Sequence, residues 1–233
     1  MSQASGTPAP SQRIKQQRAR RTYDALVSTA FKLLADREFD SISVAELAQA
    51  AGYSVGAFYA RFKSKDELFD ALIAQHIEDR KRVRDPLFDS LPEETWIHGL
   101  VADAVNYYWK RRRFWRAALI RSMQDPDFWQ PLRDLGRDFA TSFVKRMSNE
   151  ARRPLTEAEE MNVRFATQIF LSTINNTIIN RPGPIFMGQA EFVDNLARAF
   201  RLVSGYDDLV RQAPSKARGR GRRTSRRKTK SSP

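Results

Sequence analysis

Cysteine is missing from all 233 residues, and histidine occurs only as His76 and His98. The first absence excludes disulfides, thiol catalysis and cysteine-based zinc or iron–sulfur sites. Neither histidine belongs to a His/Asp/Glu ligand spacing, so no metal site and no cofactor are expected. No nucleophile sits beside a base, and Gly219-Arg220-Gly221 is low-complexity rather than a phosphate loop. No catalytic residue is assigned, and an enzyme is not expected. No apolar run reaches the roughly 18 residues of a membrane-spanning helix. Residues 1–11, rich in Ser, Pro, Ala and Gly, lack the apolar core of a signal peptide. A cytoplasmic, nucleoid-associated location is the expectation. Alternating strand patterns and internal repeats are also missing, so the fold class is all-α.

Acidic residues are absent from both ends. Residues 1–21 hold five basic residues (Arg13, Lys15, Arg18, Arg20 and Arg21), and residues 214–233 hold nine, neither with an acid. Taking these fourteen from the net charge of +13 leaves residues 22–213 at −1. Such blocks repel themselves, stay disordered and often bind polyanions, although a solubilising tail is the simpler reading of either alone. An arm before a helix-turn-helix can reach into the minor groove.

What is present is organised around Ser43–Phe62. Ser43 with Glu46 forms a capping box, and Ile42 with Leu47 the matching hydrophobic staple. Val44, Leu47, Ala48 and Ala51 give one apolar helical face. Gly52 stops that helix, because glycine accepts the left-handed conformation at a helix C-terminus. Ser54 caps a second short helix carrying Phe58 and Phe62. Ser64 with Glu67 reads as a capping box for a third. Two helices joined by a short turn containing glycine make a helix-turn-helix. Gly56 inside the second helix costs up to about 1 kcal/mol relative to alanine. It serves close approach, either to the preceding helix or to a phosphate backbone. Taken alone, the stretch also fits a plain helical hairpin.

A first helix is expected from about Gln12 or Arg18 to Arg37, with Leu26, Val27, Ala30, Phe31, Leu33 and Leu34 as its buried stripe. The third helix carries Leu68, Phe69, Leu72, Ile73 and Ile77. It is expected to end near Asp85-Pro86, with a solvated far half at Glu78–Arg82.

With those residues in view, residues 18–77 resemble the DNA-binding domain of the tetracycline-repressor (TetR) family of bacterial regulators. The resemblance rests on Leu26–Leu34, Phe39-Asp40, Ser43–Ser54, Gly56, Phe58-Tyr59 and Phe62–Leu68. It implies a homodimer of all-helical subunits that binds a palindromic double-stranded operator, usually represses transcription, and is released by a small ligand. Position by position it implies that Tyr59 touches a phosphate and that Lys65 lies near the backbone. It also implies that the helix capped by Ser43 faces a phosphate, and that Val55 and Ala57 face base edges. The candidate DNA-binding set is Arg20, Arg21, Ser43, Val44, Tyr53, Ser54, Val55, Gly56, Ala57, Tyr59, Arg61, Phe62, Lys63 and Lys65. Glu38 departs from the family's usual glycine. The apolar Val55 and Ala57 leave fewer base hydrogen bonds and more room for thymine methyls.

Past residue 86 the helical pattern continues without a family signal. Helices are expected from Pro92 through Tyr108, from Phe114 to Met123 and from Asp125 to Arg153. Two more are expected from Glu157 to about Asn180, begun by a Thr156–Glu159 capping box, and from Gln189 to about Ser204. The helix from Glu157 is apolar nearly all round after Arg164, so this helix and the next are expected to form a dimer interface; a buried hairpin is the alternative. The aromatic residues read either as ordinary core or as the lining of a pocket for a small apolar or aromatic ligand. The pocket candidates are Trp109, Trp115, Phe139, Phe143, Gln168 and Asn175. Arg111–Arg113 read as a solvated face. The organisation is therefore a disordered basic arm over 1–17, a DNA-binding domain over 18–85, a regulatory and dimerisation domain over 86–210, and a disordered basic tail over 211–233. The function expected is a ligand-responsive, sequence-specific transcriptional repressor. The alternative is a non-specific basic nucleoid or RNA-binding protein.

Overall fold

Serine and threonine caps begin four of the helices that the pattern marks. In the computed structural model, which describes residues 10–214, Ser43 and Glu46 close their capping box at the start of α2 (Val44–Ala50). Thr156 and Glu159 do the same for α8 (Glu157–Asn180). Ser54 accepts from the Ala57 amide at α3 (Val55–Tyr59), and Ser64 from the Glu67 amide at α4 (Lys65–Ser90). The expected box at Ser64 is only half formed, because the Glu67 carboxylate accepts from the amide of Lys63 instead.

The first helix, α1 (Pro10–Leu33), begins inside the segment expected to be a disordered arm. Residues 10–17 are its first two turns; residues 1–9 lie outside the described part. After a 3-10 turn at Phe39–Ser41, α2 and α3 cross on α1 and α4. Leu26, Leu34, Leu47, Ala48, Phe58, Phe62, Leu68 and Leu72 are all buried between them.

The third helix does not stop at Pro86. It runs on to Ser90 with Pro86 inside it, giving up one backbone hydrogen bond. Burial outweighs that loss: Phe88 is 4% exposed and meets Phe139 and Phe143 edge-on. The expected domain boundary at 85/86 thus falls within one continuous helix.

The remaining helices are α5 (Trp96–Lys110), α6 (Arg112–Gln124), α7 (Gln130–Ala151), α8, α9 (Ala190–Ser204) and α10 (Tyr206–Gln212). A second 3-10 turn, Asp127–Trp129, leads into α7. The short α10 crosses the expected start of the tail at 211. Gly205, at φ 69°, ends α9 and turns the chain so that Tyr206 and Leu209 are buried. The α8–α9 hairpin packs on α5 and α7. At the far end of this half, Glu150 is buried and receives hydrogen bonds from Trp96 Nε1 (3.0 Å), the Tyr206 hydroxyl and Arg146 Nε (2.7 Å).

Arg111–Arg113 are not a solvated face. Arg111 lies over the Phe31 and Tyr107 rings, and Arg113 donates to the Ala35 carbonyl and sits 3.7 Å from Glu38. Arg121 on α6 pairs with Asp66 and Asp70. These contacts tie α6 to the helices around α3, and Glu38 serves as one of the anchors.

Candidate nucleic-acid interface and ligand cavity

The α2–α3 turn is set by hydrogen bonding. Gly52 sits at φ 77°; its amide donates to Gln49 O (3.0 Å) and the Tyr53 amide donates to Ala48 O (2.9 Å). This pair of bonds satisfies the last carbonyls of α2 and fixes the exit angle of the chain. Phe58 and Phe62 then pull α3 down onto the core with ring centroids 5.5 Å apart.

What α3 leaves outside is a small mixed surface. Val55 is 41% and Tyr59 55% exposed, and Gly56 lies open between them. A methyl group built on Gly56 would meet only the Ser54 Oγ, at 3.8 Å. The glycine is therefore not needed for packing against the preceding helix, which removes one of its two expected uses. Ala57 and Tyr53 are half-buried beside this surface, and Ser54 is exposed at its start.

Basic groups surround it. Arg20 and Arg21 are exposed on α1, and Lys63 is exposed before α4. Arg61 is exposed, and its Nε donates to the Ala19 carbonyl at 3.2 Å, joining α1 to the α3–α4 turn. Lys65 is half-buried with its Nζ 4.3 Å from the Phe39 ring centroid. Burial lowers its pKa, against the opposing pull of Asp40 and Asp66.

Two expected contacts are otherwise occupied. Phe62 is 2% exposed and packs on Tyr23 and Phe58, so it supports the surface from beneath. At α2, Ser43 gives its amide and hydroxyl hydrogens to Glu46, and the Ser43 amide bond is the leading reason the Glu46 carboxyl falls to about 2. The free donors at that N-terminus are the amides of Val44 and Ala45, with the Val44 side chain half-buried against the core.

The second half of the molecule contains a cavity of about 620 Å³ among α4, α5, α6, α7 and α8. Trp115, Phe139, Gln168 and Asn175 line it. Trp115 Nε1 donates to Asn175 Oδ1 at 2.8 Å, which satisfies the indole N–H on that wall. Two candidates lie elsewhere. Phe143 is fully buried in the core against Phe88, Trp96 and Phe200. Trp109 faces outward under Arg112 and against Gly188. Tyr108 and Trp129, two of the aromatic residues that read as core or pocket lining, line the cavity as well, and the arginines not foreseen are Arg80 and Arg84 on α4, Arg133 and Arg137 on α7, and Arg164 on α8. The arginine pairs recur at i, i+4, the signal of one helix face, but a face rich in arginine reads as solvent. Arg80 is instead largely buried, bridged to Asp103 at 3.1 Å and laid on the Tyr107 ring.

Residues 26–72 match the family model described as bacterial regulatory proteins, tetR family. Over 74 residues the chain is 34% identical to YwcC, an HTH-type transcriptional regulator of Bacillus subtilis (strain 168). That match covers 32% of this chain and 33% of YwcC, so the likeness spans one third of the relative's length. A tetR-family transcriptional regulator from Streptomyces coelicolor superposes with a TM-score of 0.60 at 20% identity, over 83% of this chain and 88% of its own. Salmonella enterica GusR superposes with a TM-score of 0.58 at 16% identity, over 79% and 95%. At such identities the two structures show a shared fold.

Proposed function

We propose that this chain, whose N-terminal domain belongs to the tetR family of bacterial regulatory proteins, is a sequence-specific DNA-binding transcriptional regulator that works as a homodimer. It acts as a repressor, and a small molecule in the cavity releases it from a palindromic operator. The observation that carries the reading is the exposed face of α3. Val55, Gly56 and Tyr59 are left outside, and among the described residues only the Ser54 Oγ comes within 4 Å of a methyl built on Gly56. A mid-helix glycine costs stability, and here a major groove accounts for it better than any internal contact does. Tyr59, Lys63 and Lys65 serve the phosphates, Val55 and Ala57 the base edges, and Arg20 and Arg21 the flanking backbone. Dimerisation uses α8 and α9, on which Met161 (61%), Phe165 (52%) and Leu202 (71%) are exposed. A two-fold axis would bring each such patch onto its own copy.

The basic tail offers the competing, non-specific reading, and its removal is the test. Residues 215–233 contain all nine of the tail's charges. Phosphate neutralisation is independent of sequence, so the tail raises affinity for any DNA without choosing among sites. Deleting 215–233 is expected to weaken operator and random-DNA binding together, most at low salt. The specificity ratio, at least roughly a thousandfold, should be kept or raised. Paired affinities at two salt concentrations read this out. Loss of all binding on truncation, or no preferred site for the full chain in a selection experiment, would leave the nucleoid-type reading in its place.

A further inference from the structure

The cavity wall is chemically one-sided. Five arginines line it (Arg80, Arg84, Arg133, Arg137 and Arg164), and no aspartate or glutamate does. The rest of the wall is chiefly apolar, with Trp115, Trp129, Phe139, Phe170 and Leu171. Three of the arginines are matched by carboxylates behind the wall: Arg80 by Asp103 at 3.1 Å, Arg137 by Asp134, and Arg164 by Glu160 at 3.6 Å. The other two are not fully matched. Arg84 bonds Asp85 through Nε at 2.8 Å, but its Nη1 is buried without a hydrogen bond, and the Asp138 carboxylate lies 3.8 Å away. Arg133 bonds only neutral oxygens, Gln130 Oε1 and the Pro126 carbonyl, both at 3.0 Å. A buried donor left unmade is costly, and guanidinium is the side chain best shaped for a carboxylate.

We propose that the cavity takes an amphipathic organic anion: an apolar or aromatic body against the tryptophan and phenylalanine wall, and a carboxylate-type head on the guanidinium groups of Arg84 and Arg133. The assignment rests on the reading of this cavity as the regulator's ligand site. A cation would meet a wall with guanidinium groups and no carboxylate of its own, Arg133 among them bonded only to neutral oxygens. A small hydrated inorganic anion would leave the apolar wall uncovered, and a cavity of about 620 Å³ suits a small organic molecule. Tyr108 lines the same wall, and burial pushes its phenol up to about 12, so it stays a neutral hydrogen-bond donor.

The test compares probes that differ only in the head. Full-length protein is titrated with decanoate and 1-decanol, and with 1-naphthoate and 1-naphthalenemethanol, following tryptophan fluorescence from Trp115 and Trp129. At least one carboxylate is expected to bind roughly tenfold more tightly than its alcohol, the scale of one charge-assisted pair. Arg84→Gln should erase that preference while leaving the alcohol's affinity unchanged. Arg133 is exposed, so Arg133→Gln keeps the fold and should reduce the preference even if the first variant is unstable. Equal binding within both pairs, a preference that survives both substitutions, or no binding of any probe at millimolar concentration overturns the assignment. A gel shift with operator DNA separates the two readings. A carboxylate that binds with preference but does not release DNA leaves the anion site standing and sinks the inducer role. Release by both members of a pair equally does the reverse.

Discussion

His76 is a neutral base sealed among aromatic rings. It is 1% exposed, its Nδ1 is 2.9 Å from the Tyr107 hydroxyl, and Trp115 and Phe114 flank it. Burial, with Arg80 and Arg111 nearby, lowers its pKa to about 3. The unfolded chain therefore binds a proton near pH 6.5 that the folded chain refuses, and stability falls as pH drops from about 6.5 toward 3. The slope in that window is about 1.4 kcal/mol per pH unit for this one group. Glu46 and Glu159, both held at about 2, lose their contribution only below about 4.5, so His76 dominates between about 6.5 and 4.5. Urea melts of His76→Gln should be flatter than wild type across that range, and parallel curves would show that the ring is not sealed. Gly56→Ala makes an opposite pair of changes. The methyl meets only Ser54 Oγ at 3.8 Å, so helix propensity should raise stability by up to about 1 kcal/mol. The same methyl on the outer face should cost about tenfold or more in operator affinity, the scale of one specific contact. A thermal melt and a gel shift on one sample check both; unchanged binding moves the reading face off α3. At this scale the sequence was most legible where a residue's role is local. Ser43, Ser54 and Gly52 announce caps and a stop that depend on their neighbours alone. Phe62 shares the apolar face of Phe58 by its i, i+4 spacing and is buried as that spacing implies, so its place in the candidate DNA-binding set does not hold.

Whole helices were legible in type and less so in extent. Capping pairs and apolar periodicity located α2, α3, α8 and α9, since each signal is carried within the segment. The end of α4 differs from the expectation because the local rule against proline is overruled by the burial of Phe88, two of whose ring partners, Phe139 and Phe143, lie more than fifty residues away. The missing α10 has the same cause, since Tyr206 finds Trp96 and Glu150 only in the folded chain. That cluster is the strongest polar anchor between α5, α7 and α10. Glu150→Ala would leave Arg146, 18% exposed in its side chain, without its carboxylate, and would reduce Trp96 to the Tyr206 hydroxyl and Tyr206 to the Glu93 carbonyl as acceptors. A loss of about 3 kcal/mol is expected, read by chemical denaturation. A loss under about 1 kcal/mol would mean that water or Tyr206 replaces the carboxylate.

For the molecule as a whole, the composition separated a near-neutral body from two basic ends, and the helical periods set the fold class. The cavity was not legible, because it is made by five helices and its arginines look like solvent-facing charge in every local window. The expectation for α8 is a helix apolar nearly all round after Arg164, forming a dimer interface with α9. Phe165 and Leu202 remain exposed on this hairpin, while Gln168, Ser172 and Asn176 make part of α8 polar. Phe165→Asp is expected to give a folded monomer by sedimentation, with operator affinity reduced at least a hundredfold because one half-site remains. A dimer that persists in this variant places the contact elsewhere.

The unbroken course of α4 has a mechanical side. Lys65 opens it, and Arg84 lies nineteen residues on, about 28 Å away at the rise of an α-helix. Pro86 removes only the rung that would end on the Arg82 carbonyl, so the rod from Lys65 to the turn before Arg82 keeps its ladder of hydrogen bonds. A tilt of about 5° pivoting at Arg84 would sweep Lys65 sideways by about 2.5 Å over that length. Such a sweep is enough to take an ammonium out of hydrogen-bond reach of a phosphate oxygen. In the regulator proposed above, the helix would serve as a lever whose short stroke lies at the cavity and whose long stroke ends beside the α3 face.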